Sequence, residues 1–258
     1  MRIGIDYTAA VRQGGGIGRY TRNLVRSLSE IDRDNEYRLF VAGGWGEGDG
    51  LGPWPESFRV CPVPLSDRWL SILWQRLRVP LRVQAVTGRV DLFHSPDFVL
   101  PPTGRIPTLL TVHDLSFLRV PECFVPGFSG YLERSVTRAV RRAGAILADS
   151  KSTRRDLLEL LGVDVRRITV LYPGVEARFR PITDGRSLER VGVRYDLPAR
   201  FVLGLGTIQP RKNYPTLVRA FSTLLRAEGD VAKLSNLHLV IAGAKGWMHE
   251  DTFAAIAD

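Results

Sequence analysis

The sequence predicts an α/β fold in which parallel strands are separated by helices packed on both faces of the sheet. Short apolar runs rich in β-branched residues alternate with amphipathic helical patterns along the chain, as expected of strands joined by crossover helices. The apolar runs are nearly continuous rather than alternating, which is typical of strands buried on both faces.

The chain opens with a predicted strand and a long amphipathic helix. "RIGID" (2–6) has the composition of a strand, and residues 18–31 place Tyr20, Leu24 and Leu28 on one helical face. Further strands and helices follow in the same alternation. The predicted strands are 37–43, 58–64, 91–95, 107–114, 145–150 and 168–174, and the longer helices are 127–142 and 152–161.

Between the first strand and helix lies "RQGGGIGRY", which places four glycines within five positions. A dinucleotide-binding pattern would need a fifth glycine at Arg19, and no glycine directly precedes Lys212 as a Walker A loop requires. A dinucleotide-dependent oxidoreductase is therefore disfavoured. The glycines indicate either a tight turn or an anion-binding helix N-terminus, and the sequence leaves both open.

The alternation restarts after a polar, poorly periodic segment. We predict a first domain over residues 1–175, a linker over 176–200 and a second domain over 201–258. The second domain contains a strand, a helix over 214–228 and a strand over 237–243. Two strands and one helix leave apolar faces without partners, so we expect this domain to be incomplete.

Polar residues after the predicted strands are candidates for a ligand site, because ligands of open parallel sheets bind at the carboxyl ends of the strands. His113 ends a buried strand, and His94 ends a neighbouring one; a structural histidine is the alternative for each. Arg211 and Lys212 follow the first strand of the second domain. They indicate either a diphosphate clamp, with a guanidinium fork and a compact ammonium, or a solvated loop pair.

Residues 67–85 combine two tryptophans with four arginines in a helical pattern. Such a helix can lie on an anionic membrane surface, but most apolar stripes at helical spacing face a protein core, which we favour. The arginines of the whole chain are scattered and no recognised module occurs, so no nucleic-acid partner is predicted.

Composition narrows the class of protein further. The formal net charge of +9 and the isoelectric point near 10.0 indicate an anionic partner. Cys61 and Cys123 are too few for a disulfide scaffold or a thiolate metal site, and the four histidines lack ligand spacing, so no metal site is predicted. With no apolar leader after Met1 and no membrane-spanning run, we expect a cytoplasmic protein, at most peripheral to the inner membrane face.

Taken in order, four stretches resemble the family 4 glycosyltransferases, whose GT-B architecture has two Rossmann-like domains. They are "GGGIGRYTRNL", "TLLTVHDL", "ILADSKSTRRDLLELLGVDVRRITVLYPGVE" and "FVLGLGTIQPRKNYPTLVRAF". The resemblance implies an acceptor-side first domain, a nucleotide-sugar-binding second domain and a donor lying between them. It implies His113 as the catalytic residue against the transferred sugar. The implied donor-binding residues are Gly15, Gly16, Gly206, Thr207, Arg211 and Lys212.

The resemblance also implies a reaction. A retaining, metal-independent hexosyltransferase would move a hexose, with mannose as one candidate, from a nucleotide-diphosphate sugar to a glycan or a lipid-linked acceptor, without a cofactor. The family's pair of second-domain glutamates eight positions apart does not occur before Asp258. We therefore expect a C-terminally truncated chain that is inactive as it stands. The alternative is a non-catalytic sugar- or nucleotide-binding module of the same fold.

Overall fold

The computed structural model describes residues 1–44, 52, 54–226 and 236–257. The chain divides into two compact units, which are described separately below. The first unit comprises Met1–Leu118 and Gly130–Pro173, and the second comprises Arg119–Ser129 and Gly174–Asp258. The predicted first domain, 1–175, differs from the first unit in two places, since residues 119–129 and 174–175 group with the second unit.

The first unit contains a seven-stranded sheet with the order β3-β2-β1-β4-β5-β6-β7, in which every pair of neighbours is parallel. The predicted parallel α/β fold is therefore confirmed. The strands are β1 (Arg2–Asp6), β2 (Glu36–Ala42), β3 (Phe58–Val63), β4 (Leu92–Ser95), β5 (Thr108–Val112), β6 (Ala145–Ala148) and β7 (Ile168–Val170).

Helices connect these strands. They are α1 (Thr8–Arg12), α2 (Gly16–Ile31), α3 (Asp67–Ser71), α4 (Gln84–Thr87), α5 (Ser116–Arg119), α6 (Phe128–Arg142) and α7 (Lys151–Leu161), with a π-helical turn at Ile72–Arg76 and 3-10 turns at Pro121–Cys123 and Val165–Arg167. Ser150 caps α7 by accepting a hydrogen bond from the Thr153 amide, and Gly162 ends it in a left-handed conformation.

The strand order reverses between β1 and β4. From β1 the chain adds β2 and β3 on one side, then returns to add β4 and the later strands on the other. The register pairs Ile3 with Leu92 and Ile5 with His94, which brings the ends of β1 and β4 side by side. Such a switch point opens a crevice at the carboxyl edge of a parallel sheet, the usual ligand position in this class.

The core beneath this edge is built from buried strand residues and α2. Ile5 and Leu39 are almost fully buried, and Val25 of α2 packs against the same cluster. Tyr37 stacks on Phe58 with ring centroids 4.3 Å apart. This packing fixes the strand ends that carry the candidate site, because close-packed cores tolerate little displacement.

The prediction of one continuous amphipathic helix over residues 67–85 is wrong. The helix α3 ends at Ser71, passes into the π-helical turn, and gives way to non-helical chain before α4 begins at Gln84. Arg78 adopts a left-handed backbone with φ of 55°. Pro80 cannot donate a backbone hydrogen bond and disfavours a helical conformation at Val79, which explains why the helix does not continue.

The second unit contains a two-stranded parallel sheet of β8 (Phe201–Leu205) and β9 (His238–Ala242). Its helices are α8 (Gly185–Arg194), α9 (Tyr214–Arg226) and α10 (Glu250–Ala257), with a 3-10 turn at Pro210–Lys212. The segment predicted as a linker, 176–200, thus contains a helix, which Asp184 caps through two amides. The last two residues of the predicted helix 214–228 lie outside the described residues.

Two features of the second unit concern its apolar side chains. Leu205 of β8 is 76% exposed, although the strand has the apolar pattern of a buried one. Within residues 119–129, Phe124 packs against Trp247 at 5.9 Å between ring centroids, and the Trp247 indole donates to the Cys123 carbonyl. These contacts explain why this segment groups with the second unit.

In the described residues, no helix is both long and apolar enough to span a membrane.

Candidate active site

The glycine-rich stretch begins the long helix of the first unit. The short helix α1 separates it from β1, so the glycines do not follow the strand directly. Gly15 is the N-cap residue of α2 and Gly16 its first residue, two positions earlier than the predicted start. No side chain caps this end, and the first amides of a helix carry a partial positive charge toward whatever lies before it.

The glycines differ in what surrounds them. A methyl group built on Gly14, Gly15 or Gly16 would meet no atom within 4 Å, whereas one on Gly18 would lie 2.0 Å from the Gln13 carbonyl oxygen. None of the four has a positive φ. Gly18 is therefore required by packing, while the preceding three leave open space over the helix end without serving a strained turn.

His113 follows β5 and is held through both ring nitrogens. Nδ1 lies 2.5 Å from Oδ2 of Asp149, and Nε2 donates to the Pro96 carbonyl oxygen at 2.8 Å. The ring of Tyr20, from the second turn of α2, meets the imidazole edge-on at 5.0 Å between centroids. The residue predicted as catalytic is thus fixed between β4, β6 and α2.

The surroundings of His113 favour its charged form. Burial opposes protonation, but the hydrogen bond and negative charge of Asp149, with the Pro96 carbonyl, raise the pKa of His113 above its usual value. As an imidazolium it donates from both nitrogens and has no lone pair to accept a proton. In this arrangement the imidazolium form of His113 can supply positive charge to a ligand at the end of β5.

His94 lies at the end of β4 in a different state. Its Nε2 is 2.9 Å from the hydroxyl oxygen of Thr111, to which the Tyr20 hydroxyl is also close at 3.4 Å. Burial and the charge of His113 lower the pKa of His94 to about 4. His94 is therefore a neutral, buried histidine whose hydrogen bond to Thr111 helps to position the residues around His113.

Two further carboxylates complete the edge of the sheet, and sequence reasoning missed them together with Asp149. Asp97 accepts from the side chain of Gln13 at 3.2 Å, and its pKa is raised by burial. Asp6, the last residue of β1, accepts from the Thr8 amide, and burial raises its pKa to about 7. Each of the three lies at or just after the end of a strand, which is the signal that could have identified them.

The second unit carries the other predicted residues on the loop after β8. Gly206 has φ of +146°, and a methyl group on neighbouring Gly243 would lie 2.0 Å from the Gly206 carbonyl oxygen. The loop therefore packs backbone against backbone. Tyr214 donates to the same carbonyl at 3.2 Å. Thr207 follows as an exposed residue.

Arg211 and Lys212 lie on the 3-10 turn that leads into α9, and both are exposed. Cε of Lys212 is 3.7 Å from the position that a Gly206 Cβ would occupy, so the aliphatic part of the lysine side chain packs over the glycine. Asn213 ends the turn in a left-handed conformation. The predicted residues of the second unit thus lie together on the loop that follows β8, whereas in the first unit His113 contacts α2 through Tyr20.

Across the described ranges, no three His, Cys, Asp or Glu side chains are placed so that they could hold a metal ion. Asp32, the residue that follows α2, organises a turn. Its carboxylate accepts from the Asn35 side chain and from the Tyr37 hydroxyl, and these hydrogen bonds lower its pKa.

The seven-stranded parallel sheet, with glycines and a histidine beside its switch point, is a Rossmann-like ligand-binding domain. A sequence profile described as Glycosyltransferase Family 4 matches residues 14–179. The chain belongs to this family, and the predicted family and fold are confirmed.

Individual relatives agree with this assignment. The chain is 26% identical over 247 residues to O-antigen chain mannosyltransferase B of Escherichia coli, covering 90% of this chain and 61% of the relative. It is 34% identical over 121 residues to D-inositol 3-phosphate glycosyltransferase of Kineococcus radiotolerans, covering 45% of this chain and 27% of the relative. The chain thus spans less than two thirds of the curated relatives it matches.

Solved structures show the same fold at low identity. A crystal structure of Anabaena HepE in complex with UDP and glucose superposes with a TM-score of 0.63 at 14% identity, covering 99% of this chain and 64% of the other. A glycosyltransferase from Rickettsia africae gives 0.54 at 16% identity, covering 100% and 71%.

Proposed function

We propose that the chain acts in the transfer of a hexose from a nucleotide-diphosphate sugar to a glycan or lipid-linked acceptor, with retention of anomeric configuration. The observation that carries this proposal is the open, uncapped N-terminus of α2, where Gly14, Gly15 and Gly16 serve neither packing nor a strained turn. A phosphorylated ligand is what such a helix end favours. Tyr20 of the same helix contacts His113, so the helix end and the histidine belong to one site.

The roles of the residues follow from their charges. We assign the imidazolium of His113 to the transferred sugar and its neighbouring phosphate oxygens, where positive charge stabilises charge developing on the leaving group. Arg211 and Lys212 are assigned to the diphosphate, with Gly206 and Thr207 shaping the loop beside it. Because these cations can neutralise the departing diphosphate, we propose that the reaction needs no metal ion or cofactor.

The nature of the sugar and the acceptor is inferred from relatives. One relative is an O-antigen chain mannosyltransferase, and a structural neighbour was crystallised with UDP and glucose. We therefore propose a nucleotide-linked hexose, with mannose as the first candidate, and a growing polysaccharide as acceptor. A cytoplasmic site of action, peripheral to the inner membrane face and without nucleic acid, belongs to the same proposal.

The test is a screen of a protein that extends this chain to the length of its relatives, against UDP- and GDP-linked hexoses with a panel of glycan and lipid-linked acceptors. The chain by itself lacks the family's pair of glutamates, and we propose that it is inactive alone. Release of nucleoside diphosphate reports turnover, and NMR of the product gives the anomeric configuration. Equal turnover with EDTA is expected. An inverted product would contradict the retaining mechanism.

A second candidate is a non-catalytic sugar- or nucleotide-binding module of the same fold. It is favoured if calorimetry detects binding of a nucleotide sugar while no nucleoside diphosphate is released from any donor. Absence of both binding and turnover across the panel would contradict both candidates.

A further inference from the structure

Tyr20 joins helix α2 to the imidazole of His113. The two rings are nearly perpendicular, at 83°, with centroids 5.0 Å apart, and edge-to-face pairs of this kind are favoured between aromatic side chains. Tyr20 lies four residues after Gly16, the first residue of α2. Because residues four apart share one face of a helix, the open helix end and the tyrosine lie on the same face. The ring contact therefore connects the helix end to the histidine.

The hydroxyl of Tyr20 reaches the sheet. Its oxygen lies 3.4 Å from Oγ1 of Thr111, and that atom lies 2.9 Å from Nε2 of His94. Thr111 is fully buried, and burial raises the pKa of Tyr20, so the phenol stays protonated. A separation of 3.4 Å is beyond the usual range for a hydrogen bond between two oxygens. The hydroxyl therefore holds Tyr20 less firmly than the ring contact does.

The hydrogen bonds of His113 do not by themselves fix the plane of its imidazole ring. Nδ1 is held by Asp149 and Nε2 by the Pro96 carbonyl. Two anchor points still allow the ring to tilt about the line that joins them. Tyr20 supplies a third contact, from a different element of the fold. Since three contacts define a plane, the tyrosine ring restricts the tilt that the two hydrogen bonds leave open.

We propose that Tyr20 is a positioning residue, whose ring fixes the imidazole plane of His113 and the distance of His113 from the open N-terminus of α2. This rests on the proposed function, in which one ligand meets both the helix end and the imidazolium. Groups that act together on one ligand must keep a fixed geometry, because small displacements of a positioned group cost reaction rate. Without the tyrosine ring the imidazole can tilt. Its hydrogen bond to Asp149 is then weakened, because such bonds depend steeply on angle.

The first test is NMR titration of the His113 ring protons in the chain itself. Tyr20→Leu, which removes the aromatic ring, should lower the pKa of His113, because a tilted imidazole loses part of its hydrogen bond to Asp149. Tyr20→Phe keeps the ring and loses only the long hydroxyl contact, so the pKa should stay at its parent value. Asp97 and His94, which also interact with His113 through charge, are present in both variants.

The matched control is Leu28→Ala on the same helix. Leu28 packs against the core of the first unit and lies about 12 Å from Tyr20 along the helix axis. Its truncation should lower the melting temperature, because a packed apolar side chain is lost, but it should leave the pKa of His113 unchanged. The control thereby separates a loss of stability from a loss of position.

The second test is kinetic and uses the protein extended to the length of its relatives, with UDP-glucose and GDP-mannose as donors. Tyr20→Leu should lower kcat about tenfold or more and change KM less than about threefold, whereas Tyr20→Phe should keep kcat within about threefold of the parent.

Four results would each overturn the proposal. They are an unchanged His113 pKa in Tyr20→Leu, an equal fall of that pKa in Leu28→Ala, a Tyr20→Phe variant as impaired as Tyr20→Leu, and a raised KM without a fall in kcat. If the extended parent transfers no hexose, the proposed function fails, while the titration of the chain still decides the role of Tyr20.

Discussion

Asp149 lies 2.5 Å from His113, Oδ2 to Nδ1, while the other ring nitrogen of the histidine donates to the Pro96 carbonyl. The second oxygen of Asp149 is buried and has no hydrogen-bond partner among the described residues. The carboxylate therefore interacts with the histidine, and its negative charge favours the protonated form of His113 at the end of β5.

Replacing Asp149 with asparagine should lower the pKa of His113. The substitution removes the negative charge that favours the imidazolium and leaves burial, which favours the neutral ring. NMR titration of the histidine ring protons measures this downward shift of the pKa.

The matched control for that titration is Asp114→Asn. Asp114 is the next acidic neighbour in the sequence, but it is exposed and accepts from the Ser116 amide rather than from the imidazole. The pKa of His113 should be unchanged in this variant. An unchanged pKa in Asp149→Asn would show that the ion pair does not set the charge of His113.

The sequence predicted the sheet closely because its signal is local. The strands of the first unit are short apolar runs, and the predicted strand 2–6 is observed as Arg2–Asp6. The helix prediction for residues 67–85 was wrong because it too used only a local signal. Apolar spacing alone suggested one helix, whereas Pro80 and the left-handed backbone of Arg78 prevent it.

The candidate site was only partly predictable. His113 was found because it follows a buried strand, and its charge partner was missed because Asp149 lies 36 residues further along the chain. Such pairs depend on which strands are neighbours, here β5 and β6, and local sequence patterns do not encode that order. The helix α1 was missed because its five residues are too short to show helical periodicity.

Asp6 should make the chain less stable as pH rises from about 4 to 7. Its pKa is 3.8 in the unfolded chain and about 7 in the folded chain, so the folded state binds more protons across this window. The free energy of unfolding therefore falls with increasing pH, by an amount on the order of 4 kcal/mol, and levels off above pH 7.

Urea denaturation at several pH values tests this expectation. In Asp6→Asn the amide oxygen can still accept from the Thr8 amide, and no proton is bound or released. The decline between pH 4 and 7 should become shallower, and the variant should be more stable than the parent chain at pH 8. A variant with the same pH profile as the parent would contradict the raised pKa of Asp6.

Replacement by alanine should affect stability little at Gly16 and strongly at Gly18. Gly16→Ala adds a methyl group to open space and should change the free energy of unfolding by less than about 1 kcal/mol. Gly18→Ala forces a methyl group against the Gln13 carbonyl and should destabilise the chain by about 1–3 kcal/mol. Thermal denaturation measures both effects, while calorimetry should show weaker nucleotide-sugar binding by Gly16→Ala. Binding unchanged in Gly16→Ala would remove the anion-site interpretation of the helix end.

Lys212→Ala should weaken binding of a nucleoside diphosphate by about tenfold or more, since a charged hydrogen bond to phosphate contributes about 1.5–3 kcal/mol. Lys212 is exposed and its stem crosses Gly206, so its loss should leave the melting temperature unchanged. Lys151→Ala is the control, because Lys151 is equally exposed at the start of α7 in the first unit. Isothermal calorimetry with UDP and GDP measures the affinities. If both lysine variants lose affinity equally, the effect reflects the overall positive charge of the chain, and the assignment of Lys212 to the diphosphate fails.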